Sequence, residues 1–170
     1  MKRLCLLCAL LLLSAGCGYH VPGVGDSWVG GEGRTLLVEL FANRTSEPYL
    51  DTIVTDEVAT QLARSRLVRL TEDRGAAELL LAGTVSAFDS RVAAYDADDR
   101  ITEYSARMTV QARLVRRSDG SVLWQEEFRR SETYPALVDK GLQQGEESLA
   151  ARIVARRIAE DLLARLATAF

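Results

Sequence analysis

Cys17 and His20 are three positions apart, and their residue types could support nucleophilic or metal chemistry in this chain of 170 residues. A thiol activated by an imidazole is a common nucleophile, and both side chains are zinc ligands. His20 is the only histidine, however, and the segment 18–33 around it is rich in glycine. Such a segment cannot hold two side chains about 3 Å apart, and zinc needs three or four ligands. We therefore expect no catalytic or metal site here.

Two groups of acidic residues are the remaining candidates for chemistry. Asp96, Asp98 and Asp99 lack the glycine and glutamate positions of a calcium-binding EF-hand loop, and a solvated turn explains them better. Glu126 and Glu127 are adjacent in a predicted strand, so they point to opposite faces. The sequence predicts a protein that is not an enzyme and needs no cofactor. Its formal net charge of −3 argues against nucleic acid as a partner.

The N-terminus has the order of a secretory signal peptide. Lys2 and Arg3 precede an unbroken apolar run, Leu4–Leu13, which is followed by the small residues 14–16. Basic, then apolar, then small is the pattern of a cleaved signal, and the run is too short to span a bilayer comfortably. We predict a signal peptide over residues 1–16.

Cys17 directly follows this signal, and "SAGC" is similar to a bacterial lipobox. Cleavage before Cys17 removes Cys5 and Cys8, which leaves one cysteine without a disulfide partner. Acylation of Cys17 would satisfy this thiol and anchor the protein. Gly18 follows Cys17 where an aspartate would direct retention in the inner membrane. The sequence thus predicts a lipid anchor on the periplasmic face of the outer membrane and a flexible tether, 17–33.

Residues 34–170 are expected to form a single domain of alternating strands and helices. Apolar residues at i, i+4 spacing predict two amphipathic helices, one from about residue 50 and one from about residue 146 to the end. In the second helix, Asp161 and Arg165 predict an ion pair within the helix. Strict alternation over 103–114 predicts a half-buried strand, and Asp119-Gly120 predicts a hairpin turn after it. The expected fold is α+β, with two helices packed on one face of a mostly antiparallel sheet of four to five strands.

Arginines gather on the predicted strands although the protein is acidic overall. A solvated sheet face explains them, and an anion-binding surface is the alternative because guanidinium groups bind phosphate through two parallel hydrogen bonds. The residues concerned are Arg91, Arg107, Arg113, Arg116, Arg117, Arg129 and Arg130.

The segments "GCGYHVPG" and "LLVELFANRTSEPYLDTIVTDEVATQL", in this order after a lipoprotein signal, resemble the LptE family of lipopolysaccharide-assembly lipoproteins. The order of strands and helices matches over nearly all of the mature chain. The resemblance implies an outer-membrane protein that plugs an LptD-type β-barrel, supports its assembly and binds lipopolysaccharide for insertion in the outer leaflet. It implies acylation at Cys17 and contact with lipopolysaccharide phosphate. The positive charge of the predicted sheet, rather than a family motif, makes Arg91, Arg107 and Arg113 the candidates for that contact.

Two other classes of protein remain open from the residues themselves. Another small α/β envelope lipoprotein, such as a regulator of peptidoglycan synthases or a component of a secretion channel, would also be anchored and lack an active site. An envelope hydrolase is the second alternative, and it is weakened by the missing pair of nucleophile and base.

Replacing the predicted acylated residue tests the anchor directly. We expect Cys17→Ser to abolish acylation and to leave an unprocessed precursor, because a hydroxyl is not the nucleophile that accepts the lipid. Mass spectrometry of the membrane fraction measures both effects, with Cys8→Ser inside the signal as the matched control. Normal processing of the Cys17→Ser protein would contradict the lipobox interpretation.

Overall fold

The computed structural model describes residues 34–169. The predicted signal peptide, Cys17, His20 and the tether lie outside these residues. The elements in chain order are β1 (Thr35–Val38), β2 (Ala42–Asn43), α1 (Leu50–Ser65), β3 (Arg69–Leu70), β4 (Leu79–Tyr95), β5 (Ile101–Arg116), β6 (Val122–Pro135) and α2 (Lys140–Ala169).

The strands form one sheet in the order β3-β1-β4-β5-β6, with β2 also paired to β4. This arrangement confirms the α+β class, but the sheet that residues 34–169 form has six strands and is mixed rather than mostly antiparallel. β1 runs parallel to β3 and β4, and β2 runs parallel to β4, whereas β4, β5 and β6 are antiparallel. Helix α1 lies between β1 and β3 in the chain, which lets these two strands run in the same direction. β2 and β3 have two residues each, too few to show a periodic pattern.

Both helices cover the same face of the sheet, as the alternation in β5 predicts. Every second side chain of β5 from residue 106 to 114 is buried. Four of these side chains, Met108, Val110, Ala112 and Leu114, join those of the neighbouring strands and of both helices in the main core. To this core α1 contributes Leu50, Val54, Val58 and Leu62, and α2 contributes Val154, Ile158, Leu162 and Leu166. Ala106 packs instead with Tyr134 and Ala150 in a smaller cluster. The opposite side of β4, β5 and β6 is covered by no helix that residues 34–169 form, and we call it the open face.

The turn between β5 and β6 is the one that Asp119-Gly120 predicts. Gly120 has a φ of 71°, a left-handed conformation that glycine adopts without strain. The Asp119 carboxylate accepts hydrogen bonds from the backbone N–H and the hydroxyl of Ser121, at 3.0 and 2.7 Å. These bonds, with a smaller effect of the Arg116 guanidinium, lower the pKa of Asp119 to about 2.

Edge strand β6 is joined to α2 by three ion pairs rather than by apolar contacts alone. On the helix side of β6, Glu126, Arg130 and Glu132 lie opposite Ala112, Met108 and Ala106 of β5, which are buried. They pair with α2 as Glu126–Arg165 at 3.1 Å, Arg130–Asp161 at 2.7 Å and Glu132–Arg157 at 2.5 Å. The predicted Asp161–Arg165 pair within the helix is therefore wrong, because each of its members has an opposite charge on β6 to bind.

Gly83 in β4 allows the close approach of Phe41, which lies just before β2. A Cβ atom at Gly83 would lie 2.1 Å from Phe41 Cε1 and 2.8 Å from the Gln111 carbonyl oxygen. Phe41 is 1% exposed and belongs to the core, and its N–H donates to Thr55 Oγ1 of α1 at 3.0 Å. The missing side chain of Gly83 is thus what brings the Phe41 ring, and β2 after it, against the sheet.

We expect Gly83→Ala to destabilise the protein by about 1–3 kcal/mol, because the new methyl group overlaps the Phe41 ring and the backbone of β5. The control is Gly145→Ala in α2, where a Cβ meets nothing within 4 Å. It should stabilise the fold by about 0.5–1 kcal/mol. Urea unfolding monitored by circular dichroism measures both. Equal stabilities of the two variants would contradict the assigned role of Gly83.

Candidate functional site

The open face carries four arginines from three neighbouring strands: Arg91 on β4, Arg107 and Arg113 on β5, and Arg129 on β6. Three of them lie on a diagonal, because Arg91 is opposite Ser105, Arg107 is opposite both Asp89 and Ser131, and Arg129 is opposite Thr109. Diagonal neighbours on adjacent strands are about 7–8 Å apart. We call Arg91, Arg107 and Arg129 the arginine row.

The outer members of the arginine row are held by carboxylates of the same face. Arg91 Nε lies 2.6 Å from Asp89 Oδ2, and Arg129 Nη2 lies 3.5 Å from Glu127 Oε1. Arg129 Nε also donates to Thr109 Oγ1 at 3.3 Å; Thr109 is the buried polar residue of this face, 6% exposed. In the middle of the row, Arg107 forms no ion pair with any residue from 34 to 169.

Arg113 does not join this row. It lies six residues from Arg107 along β5, a distance of about 20 Å at the rise of a strand. The structure therefore brings two of the three predicted ligand residues, Arg91 and Arg107, together and places the third elsewhere. Arg113 lines a separate depression of about 190 Å³, whose wall also includes Arg44, the residue after β2.

Sequence reasoning missed Arg44 because the residue lies in a polar turn, far in the chain from the strands that carry the other arginines. Three further arginines of the predicted group are used for structure. Arg130 faces α2 and pairs with Asp161. Arg116 binds Asp119 in the hairpin turn, and Arg117 donates to the Ala77 carbonyl oxygen.

One end of the sheet exposes apolar side chains, and we call it the apolar end. It comprises the tip of the β4–β5 hairpin, the segment that joins β6 to α2, and the first turn of α2. The tip and the segment meet where Ala136 N–H donates to the Thr102 carbonyl oxygen at 2.8 Å. Its exposed members are Val92, Tyr95, Ile101, Leu137, Val138 and Leu142. Arg91 is one residue from Val92, so the arginine row begins beside this end.

Near the apolar end, the buried Tyr134 side chain makes contacts that link β4, β5 and β6. Tyr134 stacks on Tyr104 with 5.8 Å between ring centroids, and its hydroxyl shares a 2.6 Å hydrogen bond with Ser90 Oγ. Burial, reinforced by the charge of Glu147, raises the pKa of the Tyr134 phenol. The same two causes raise the pKa of Glu47.

The described part of the chain lacks two residue types that often act in catalysis and metal binding. Residues 34–169 contain no histidine and no cysteine, and no group of three acidic residues among them could hold a metal ion. Among these residues, no helix is long and apolar enough to cross a membrane. What they do present is a basic, open sheet face with an apolar end.

Comparison with solved structures defines the class of fold. A Xanthomonas campestris protein superposes with a TM-score of 0.60 at 15% identity, over 85% of this chain and 90% of that one. Rare lipoprotein B from Shewanella oneidensis gives 0.52 at 14% identity, over 75% and 93%. Lipoprotein B from Nitrosomonas europaea gives 0.53 at 15%, over 76% and 79%. The fold is thus one that small bacterial lipoproteins adopt.

The sequence itself identifies the family. The model of the LptE lipopolysaccharide-assembly family matches residues 33–166, and this chain belongs to that family. The resemblance found in the sequence is thereby confirmed. A comparison with curated protein sequences finds no significant match.

The carboxylate beside Arg91 provides a test of the arginine row. Asp89→Asn should release the Arg91 guanidinium and raise retention on a phosphate-bearing resin, and Arg107→Gln should lower it, each by up to about fivefold in affinity at low salt. Asp56→Asn on the exposed side of α1 makes the same charge change away from the row and is the control. If Asp89→Asn and Asp56→Asn elute together, net charge and not the row governs binding.

Proposed function

We propose that this protein is a non-enzymatic outer-membrane lipoprotein of lipopolysaccharide transport. In this proposal residues 1–16 are removed, Cys17 is acylated, and residues 17–33 connect the anchor to the domain on the periplasmic face. The domain plugs an LptD-type β-barrel, supports its assembly, binds lipopolysaccharide and aids its insertion in the outer leaflet. The match of the LptE family model to residues 33–166 is the observation that carries the proposal.

The open face supports binding of a phosphorylated amphiphile. Lipopolysaccharide combines phosphate groups with acyl chains, and the domain combines the arginine row with the apolar end beside it. Guanidinium groups bind phosphate through charge-assisted, bidentate hydrogen bonds. Exposed Tyr95, Ile101 and Val138 offer apolar contact to chains or to a partner protein. Arg91 and Arg107 are the proposed phosphate contacts of the row, and Arg113 lies in the separate depression.

The barrel partner is tested by affinity purification of the full-length protein from detergent-solubilised outer membranes. We expect a large β-barrel protein that remains bound in SDS without heating, because a plug is enclosed by its partner. Recovery of a peptidoglycan synthase or a secretion channel in its place would contradict the proposal and favour the alternative classes of envelope lipoprotein. Depletion of the protein should also reduce lipopolysaccharide at the cell surface, as measured by surface labelling.

A further inference from the structure

We propose that Arg44 and Arg113 form a phosphate-binding subsite on the open face, separate from the arginine row. The two residues come from different parts of the sheet. Arg113 is on β5 opposite Ala82 and Gln125, and Arg44 follows β2, which pairs with β4 at Thr84 and Val85. Both arginines line the same depression of about 190 Å³. The inference rests on the proposed function only for the source of the phosphate.

The subsite has positive charge that no neighbouring carboxylate neutralises. Its lining contains no acidic residue, and among residues 34–169 neither Arg44 nor Arg113 forms an ion pair. Glu127, the carboxylate opposite the lining residue Gln111, is already bound by Gln111 Nε2 at 3.1 Å and by Arg129. An anion entering the depression therefore meets two uncompensated guanidinium groups, in contrast to Arg91, which Asp89 holds.

The lining favours a phosphate group over a carboxylate. A carboxylate has one charge and two oxygens, which one guanidinium satisfies in a bidentate pair. A phosphate monoester carries a charge of about −1.5 to −2 and three acceptor oxygens, so it can use both guanidinium groups at once. Thr84 and Gln125 add a hydroxyl and an amide to the same wall. Ala82 and Gly83 form a floor of small residues, which leaves space for the anion.

The position of Arg44 depends on the packing of Phe41, three residues earlier in the chain. Phe41 fills the space above Gly83 on the helix side of the sheet. Three residues later, Arg44 N–H donates to the Val85 carbonyl oxygen at 3.0 Å. The Phe41 packing therefore holds the chain before β2, and the Arg44 hydrogen bond holds it after β2. Together they place Arg44 at a defined position beside β4.

The experiment is a calorimetric titration of the full-length protein in detergent with inorganic phosphate, and with acetate for comparison. We expect saturable phosphate binding, weaker acetate binding, and a loss of about tenfold or more in phosphate affinity for Arg44→Gln and for Arg113→Gln. Arg64→Gln on the exposed side of α1 removes the same charge and should leave the affinity unchanged. Ala82→Leu should weaken binding without any change in charge, because the larger side chain fills the depression.

The possible results distinguish a failure of the subsite from a failure of the proposed function. Wild-type affinity in the Arg44→Gln and Arg113→Gln variants, or no effect of Ala82→Leu, overturns the subsite even if the barrel partner still copurifies. Lipopolysaccharide that competes with phosphate, and ceases to compete after enzymatic dephosphorylation, supports a lipid-borne phosphate as the ligand. Phosphate binding without competition by lipopolysaccharide supports the subsite with a free phosphate source and counts against the lipid part of the proposed function.

Discussion

The rest of the structure depends on the long antiparallel ladder between β4 and β5. Its period of two separates the side chains into an apolar side and a polar side, and each side determines what can pack there. Both helices cover the apolar side and enclose the main core. The polar side is not covered by any helix of the described residues, and it carries arginines from three strands at positions that the register sets. The basic face is thus a direct result of the same pairing that builds the core.

The parallel part of the sheet adds one more arginine, Arg44, to those on the antiparallel strands β4, β5 and β6, which we call the meander. A single missing Cβ at Gly83 admits the Phe41 ring, and this places β2 beside β4. Arg44 thereby lines the same depression as Arg113 of β5. Edge strand β6 is stabilised differently, because its helix side carries charges that pair with α2. Each such exposed pair is worth only about 0.2–1 kcal/mol, but the alternating signs determine how α2 aligns with the strand.

Long periodic segments were predictable from the sequence, and contacts between distant segments were not. The alternation in 103–114, the i, i+4 stripe of α1 and the Asp119-Gly120 turn each express a local rule, and the structure confirms all three. β2 and β3 are too short to show any period. Arg44 and Arg113 line the same depression, and Asp161 pairs with Arg130 rather than Arg165, because of tertiary contacts between segments far apart in the chain, which periodicity does not encode.

The connections within the meander also bear on how the chain folds. Five residues, 96–100, join β4 to β5, and five more, 117–121, join β5 to β6. Closing such short loops costs little conformational entropy, whereas β1 can pair with β4 only after Leu36 meets Leu79 across more than forty residues. We expect the meander to form first and to act as a template on which α2, β1 and Phe41 then dock. The surface that carries the arginine row would therefore exist before the core behind it is complete.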